Sequence, residues 1–236
     1  MKVKRDLAFP MAVGSDVPLQ GRVRECANLI QPGTRLLDVG CSSGWLAPLV
    51  MSIGFEDYVG IDRVIVGPVV QSRAKFVAGS ALDLPFMDYS FDALTIFDVI
   101  EHLPRGTEQV ALREAHRVLQ TNGKLYFSTP HASPLHTPLD PVWWLGHRHY
   151  RRETVRALLC SAGFIVDRMF VAGGLAEGLD HIRLLVYKHA LRRQQPAIKF
   201  VSRLIERSHG RNRQLGMTVF AVASRVDSIP ASLADG

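Results

Sequence analysis

Residues 36–46, LLDVGCSSGWL, constrain the chain most: an apolar run of buried-strand type enters a Gly-x-Ser-x-Gly turn that opens a helix. Glycines at such a turn let the backbone reverse tightly and let a ligand lie against main-chain N–H groups. The next apolar run, YVGIDR at 58–63, ends on Asp62, 24 residues after Asp38, where an acidic side chain can accept both hydroxyls of a ribose. A strand, a glycine turn, a helix and a second strand closed by an acid form a βαβ unit, which requires a parallel sheet.

The alternation continues along the chain. Strands are expected at 35–40, 58–62, 75–79, 91–97, 124–129, 164–171 and 217–224, and helices at 18–30, 44–53, 66–73, 106–119 and 151–162. Turn signals separate them at Gln31-Pro32-Gly33, Ser52-Ile53-Gly54, Thr121-Asn122-Gly123 and Ser161-Ala162-Gly163, with a left-handed cap expected at Gly163. Two segments interrupt the pattern. Residues 130–150 hold four prolines, four histidines and two adjacent tryptophans, and a long aromatic loop of this kind is expected to be ordered and functional. Residues 180–213 carry two helical patterns split by Gln194-Gln195-Pro196.

At 236 residues the chain suits one α/β domain with appended elements. Hydrophobic residues at 47% and charged residues at 21% support a packed core and exclude a disordered chain. No run reaches the ~18 apolar residues of a membrane span, and the N-terminal stretch lacks the apolar run of a signal peptide, so a cytoplasmic location is expected. Cys26, Cys41 and Cys160 are widely spaced with no CxxC pair, so free thiols are expected, with neither a disulfide framework nor a metal site. Charge is uneven: residues 1–146 carry 13 Lys+Arg against 15 Asp+Glu, a balance of −2, and residues 147–236 carry 15 against 7, a balance of +8.

Three further segments identify the pattern: VAGSALDLPFMDYSFDALTIFDVIEHLP at 77–104, EAHRVLQTNGKLYFSTP at 114–130 and HRHYRRETVRALLCSAGF at 147–164. With the glycine turn they closely resemble the class I S-adenosylmethionine-dependent methyltransferases, especially the small-molecule type related to the ubiquinone and menaquinone biosynthesis enzymes, over about residues 33–170. The resemblance implies a Rossmann-like three-layer α/β sandwich, with a seven-stranded, mostly parallel sheet, helices on both faces and an antiparallel last strand. It implies S-adenosylmethionine as cofactor, with S-adenosylhomocysteine as product. In its terms Asp38, Gly40, Ser42 and Gly44 lie beneath the methionine part and Asp62, with Arg63 beside it, meets the ribose. Ser80, Ala81 and Leu82 edge the adenine, and Phe97 and Asp98 close the fourth strand, where a backbone carbonyl meets the cofactor ammonium. The chain then divides into an N-terminal extension and helix (1–32), a cofactor-binding half (33–130), an acceptor loop (131–150) and a basic helical insertion (180–213) before the last strand.

Two residues depart from the family pattern. Ser42 replaces the middle glycine of Gly-x-Gly-x-Gly, and Ser80 stands where an aspartate commonly accepts the adenine amino group, although its hydroxyl still accepts and Asp83 is three residues on. A nicotinamide dinucleotide is the competing ligand of such a fold, but no third glycine follows Trp45 to pack a pyrophosphate. The expected function is methyl transfer to a small-molecule or lipid-linked acceptor. The alternative is a binding or regulatory protein of the same fold without turnover, favoured by Ser80 and opposed by Asp38, Gly40, Gly44 and Asp62.

Methyl transfer from a sulfonium is an in-line displacement that needs positioning first, and a general base adds roughly 10²–10⁴-fold when the acceptor is a hydroxyl. Candidates are His149, His131 and His102, then His136 and His147, with Tyr150 as a partner; each is equally readable as a hydrogen-bonded structural residue. Trp143 and Trp144 either cap an apolar acceptor pocket or anchor the loop, and Arg148 either meets an acceptor carboxylate or phosphate or pairs with Glu153. Residues 181–213 hold nine Lys+Arg and one acid, Glu206, interleaved with apolar positions. Three readings stand for this stretch: a solvated basic face, a lid over an apolar acceptor, and peripheral contact with an anionic membrane. No recognised module points to nucleic acid, and the oligomeric state is open.

Overall fold

Successive residues of the first strand divide the core in two. Leu37 and Val39 join one buried cluster and Leu36 the other, because side chains along a strand alternate between faces. In the computed structural model, which describes residues 21–65, 73–134, 137–144, 146–187, 191, 198–209 and 216–227, that alternation runs across the sheet. The strands are β1 (Arg35–Val39), β2 (Asp57–Asp62), β3 (Ala74–Ala78), β4 (Phe91–Phe97), β5 (Leu119–Pro130), β6 (Phe164–Ala172) and β7 (Thr218–Arg225). They form one seven-stranded sheet in the order β3-β2-β1-β4-β5-β7-β6. All pairings among β3, β2, β1, β4 and β5 are parallel, and β7 runs antiparallel to both β5 and β6. The Rossmann-like sandwich implied by the resemblance is therefore the observed fold.

Helices α1 (Gly21–Leu29) and α2 (Ala47–Ser52) pack Cys26, Leu29, Ala47 and Val50 against Tyr58, Tyr126 and Phe220 on one face. Helices α3 (Glu108–Val118) and α5 (Arg152–Ser161) pack Leu112, Ala115, Val118, Val155 and Leu159 against Val59, Ile96, Phe127 and Val219 on the other. Burying each large apolar side chain stabilises the fold by about 1.5–3 kcal/mol, so the two stripes decide which side of the sheet each helix takes.

The remaining helices are α4 (Pro141–Trp144), α6 (Leu175–Leu185) and α7 (Lys199–His209). β6 is followed at its carboxyl end by Gly173 and Gly174, after which α6 begins at Leu175, and α7 packs on α6 and on α1. The segments 130–150 and 175–209 thus lie, in their described parts, at the carboxyl end of the strands, the end that carries Gly40.

The structure departs from the sequence expectations at element ends. The helix expected at 44–53 starts at Ala47, because residues 42–46 are held as turns. The expected turn at Thr121-Asn122-Gly123 lies inside β5 as a bulge: the register jumps from Phe91↔Leu119 to Ala93↔Lys124, and Asn122 takes a left-handed φ of 64°. The second helix of the C-terminal half begins at Leu175, five residues before the expected 180. Most of the helix expected at 66–73, the first three residues of that expected at 18–30, and His136 lie outside the described residues.

Candidate functional site

Strand β1 leaves the sheet through a turn with three left-handed residues, Gly40 (φ 80°), Ser42 (φ 48°) and Gly44 (φ 72°). At Gly40 a side chain is excluded twice, since its φ is costly for an L residue and an added Cβ would collide with Val99 Cγ2. The turn is pinned to β2. Gly40 N–H and Cys41 N–H both donate to the Ile61 carbonyl, at 2.8 and 3.2 Å, and Ser42 N–H donates to Asp62 Oδ2 at 2.9 Å. Gly44 N–H donates to the Cys41 carbonyl at 2.7 Å. The expectation that the turn presents main-chain N–H groups to a ligand therefore fails at these four positions. Their donors are spent within the protein, and the turn offers shape and close backbone approach instead.

Asp62, at the end of β2, is half-buried and accepts a second N–H, that of Val64, on Oδ1 at 3.2 Å. A carboxylate has about four lone-pair sites, so about two remain for a ligand. Arg63 is exposed beside it. Across the sheet edge Ser80 Oγ accepts the Leu82 N–H at 3.1 Å and Ser80 bridges to Asp83. Ala81 and Leu82 are half-buried there, past the end of β3.

Asp38 lies under the turn, 4% exposed. Its oxygens receive the Tyr58 hydroxyl at 2.5 Å and the Thr95 hydroxyl at 2.6 Å, which ties β1 to both neighbouring strands. Burial, only partly opposed by those two donors, pushes its carboxyl up to about 6. The folded protein therefore holds this proton more tightly than the unfolded chain. The resulting stabilisation is fully present below about pH 4 and lost as pH rises through about 6, by about 3 kcal/mol at most. Urea unfolding of wild type and Asp38→Asn in parallel across that range should show their stability difference shifting against the wild type as pH rises; a constant difference would rule this coupling out.

Beyond the turn, β4 ends at Phe97 and Asp98, both half-buried, with Asp98 left-handed at φ 55°. Asp98 N–H donates to the Ser128 carbonyl at 3.0 Å, its Oδ1 accepts the Ser128 hydroxyl at 3.1 Å, and its Oδ2 pairs with Arg22 of α1 at 3.1 Å. Next to it Glu101 is buried, with the Thr129 hydroxyl donating to its Oε2 at 3.1 Å. Burial first, and then the Asp98 charge, hold its carboxyl well above the usual range. For Arg22, burial opposes the charge, but the surrounding groups, Asp98 foremost and then Glu177, together outweigh it and hold the guanidinium protonated. Glu101 stood within the quoted FDVIEHLP segment, but periodicity gave no reason to single it out. Arg22 has no local signal, because its partner is 76 positions away.

The histidine candidates separate by their partners. His131 is buried, with Nδ1 against the Gly216 carbonyl at 2.7 Å. His102 is exposed, and its ring lies edge-on to His147 with centroids 4.5 Å apart. His149 has a side chain 4% exposed, with Nε2 3.1 Å from Asp140 Oδ2. In the neutral ring, a carboxylate partner puts the proton on Nε2 and the lone pair on Nδ1. That Nδ1 is buried and has no hydrogen-bond partner among the described residues.

Arg148 takes neither expected role. It bonds the carbonyls of Ile100, Glu101 and Leu103 and pairs with Glu108, because the strap 146–150 lies along the turn after β4 rather than beside Glu153. Trp143 and Trp144 do not anchor their loop in the core: both are exposed, stacked edge-on to each other, and Trp144 Nε1 donates to the Pro138 carbonyl at 3.0 Å.

Comparison with known proteins fits this geometry. Residues 37–127 match a methyltransferase domain family. A probable S-adenosylmethionine-dependent methyltransferase of Mycolicibacterium smegmatis is 32% identical over 174 residues, covering 69% of this chain and 63% of that protein. A demethylmenaquinone methyltransferase of Renibacterium salmoninarum is 33% identical over 145 residues, covering 56% of this chain and 60% of that one. The chain thus spans less than two thirds of the length of these relatives. Among solved structures, an S-adenosylmethionine-dependent methyltransferase from Mesorhizobium loti superposes with a TM-score of 0.59 at 16% identity, over 86% of this chain and 96% of that one. The cyclase SpnF superposes with a TM-score of 0.58 at 21% identity, over 87% and 80%. At such identities the superpositions speak for the fold alone, and the pair illustrates that one fold hosts different chemistries.

Proposed function

We propose, starting from a chain that belongs to the S-adenosylmethionine-dependent methyltransferases, that it transfers the methyl group of S-adenosylmethionine to a small-molecule or lipid-linked acceptor. The observation that carries this reading is the left-handed turn 40–44 locked by its Ser42 N–H onto the Asp62 carboxylate, which sets backbone cradle and acid side by side at the carboxyl end of the sheet. The residues fit the cofactor: Asp62 keeps lone pairs for two ribose hydroxyls, and only a side-chain-free Gly40 leaves room beneath Val99.

When bound, S-adenosylmethionine supplies a methyl carbon activated by a sulfonium. The chain's own work is then to place, orient and exclude water, and orientation alone is worth roughly 7–11 kcal/mol. In this reading Asp62 holds the ribose, Gly40 admits the methionine part, Ser80 to Leu82 edge the adenine, and the Phe97 carbonyl takes the ammonium. Asp98 turns the chain out of β4, held by Arg22 and Ser128. His149 serves as base for a hydroxyl acceptor: its Nδ1 takes the acceptor proton, and Asp140 stabilises the imidazolium that results. The His–Asp pairing favours it over His131 and His102. The demethylmenaquinone methyltransferase among the relatives supports an acceptor of small, lipid-like character.

Incubation of the protein with cell extract and isotopically labelled S-adenosylmethionine should place label in a low-molecular-weight or lipid fraction. Label found only on protein or RNA would reject the acceptor class, and tight S-adenosylhomocysteine binding with no labelled product would favour a regulator without turnover. Against an identified hydroxyl acceptor, His149→Gln should lower turnover roughly 10²–10⁴-fold with S-adenosylhomocysteine affinity unchanged; full activity would remove His149 from the mechanism.

A further inference from the structure

Helix α6 carries an apolar stripe on its outer side. Leu179 is 65% exposed and Ile182 39%; Val186, 48% exposed, continues the line, its backbone still helical at φ −61° and ψ −49°. Spacings of three and four residues put these side chains on one face, and no described residue covers it. On α7, Phe200 (68% exposed) and Leu204 alternate with exposed Arg203 and Arg207 along a second stripe at the same helical spacing. Helix α4 also packs against α6 and adds Trp143 and Trp144, the latter 71% exposed. Exposed apolar residues scattered singly are ordinary, but stripes on three adjoining helices mark an interaction surface.

Charge distinguishes among occupants. Residues 181–213 contain nine Lys+Arg and one acid, Glu206. That acid is turned inward, accepting the Gly21 N–H at 2.7 Å and pairing with Arg24, and Asp180 is paired with Arg183 at 2.7 Å. Among the described residues, what faces outward on α6 and α7 is therefore the apolar stripes with the exposed Arg203 and Arg207. Exposed Trp and Phe flanked by Arg is the composition of a helix face that sits in the headgroup region of an anionic bilayer. No helix among the described residues is long and apolar enough to cross a membrane.

We propose that the outer faces of α4, α6 and α7 form a docking surface for anionic membranes, with Leu179, Ile182, Val186, Phe200 and Trp144 entering the interface while Arg203 and Arg207 meet lipid phosphates. A second copy of the chain is a poorer fit, because two such faces would bring their arginines together without acids to pair them. The proposal stands independently of methyl transfer.

Co-sedimentation with phosphatidylcholine vesicles, with and without phosphatidylglycerol, tests it. The wild type should bind only the anionic vesicles, with its tryptophan emission shifting to shorter wavelength, and should be released as salt rises, because surface charges are screened within about 8–10 Å at physiological ionic strength. Arg203→Gln with Arg207→Gln should weaken partitioning about fivefold for each arginine removed. Leu179→Ser with Ile182→Ser and Val186→Ser should abolish the emission shift at an unchanged melting temperature, since all three side chains are exposed. Absence of binding at low salt, or binding that the serine variant leaves intact, overturns the proposal. So does self-association of the wild type that the serine variant dissolves without any vesicle binding, or capture of RNA in preference to vesicles.

Discussion

Asp62→Ala should weaken S-adenosylhomocysteine binding roughly tenfold to a hundredfold with little loss of fold stability. Two hydrogen bonds from ribose hydroxyls to a carboxylate are worth about 1.5–3 kcal/mol each before desolvation is subtracted. The substitution also frees the Ser42 N–H, which Asp62 Oδ2 holds at 2.9 Å, so the turn loses this tie to the end of β2. Fold stability is spared because Gly40 and Cys41 N–H remain bound to the Ile61 carbonyl. Asp62→Asn is the finer probe, since its amide can accept on one atom only. Calorimetry of both variants decides the matter, and an Asp62→Ala protein with wild-type affinity would mean that the cofactor lies elsewhere.

Arg148→Ala should cost about 3–5 kcal/mol of stability, the penalty typical of breaking a buried pair by removing one partner. Its guanidinium reaches the Ile100 and Leu103 carbonyls at 2.5 Å and the Glu101 carbonyl at 3.3 Å, and it pairs with the Glu108 carboxylate. In an alanine variant Ile100 and Glu108 keep the Tyr150 hydroxyl, at 3.2 and 3.1 Å, but the guanidinium's bonds to the Leu103 and Glu101 carbonyls and its charge beside Glu108 are lost. Arg148→Lys should fall between, because an ammonium is a single point where the guanidinium forks. For Glu108, burial raises its carboxyl, but its own backbone N–H, the Tyr150 hydroxyl and Arg148 together hold it below the ordinary value. A depressed carboxyl stabilises the fold above its unfolded value of about 4.5 and loses that contribution as pH falls below it. Urea titrations at neutral and acid pH should therefore show the cost of Arg148→Ala shrinking in acid. A loss under about 1 kcal/mol at neutral pH would place Arg148 among ordinary surface ion pairs.

The strands were legible in the sequence because a sheet covered on both faces writes short continuous apolar runs: Leu36 and Leu37, or Tyr126 and Phe127, are neighbours buried on opposite faces of the same strand. The turn at 40–44 and Asp62 were legible because both are local, a strand followed at once by glycines and another closed by an acid. The partners of Asp38 were not, since Tyr58 and Thr95 reach it only through the register of three strands. Arg22, Asp140 and the acceptors of Arg148 were hidden for a related reason. Loop and helix-end side chains choose partners by packing, and no periodicity records which way they turn. The non-glycine residues with positive φ at Ser42 and Asp98 flank the candidate site on two strands, as expected where local preference yields to a functional geometry.

The antiparallel strand between β5 and β6 has a consequence for how the protein is made. Within the sheet β6 pairs only with β7, and β5 meets β6 only through it, yet β7 is the last of the seven strands to leave the ribosome. Until Thr218–Arg225 emerges, two strand edges stand open in the nascent chain, with Phe127 and Val171 beside them and no hydrogen-bonding partner in place. A chain halted short of that strand is the form most prone to aggregate, and the one a chaperone would have to shield.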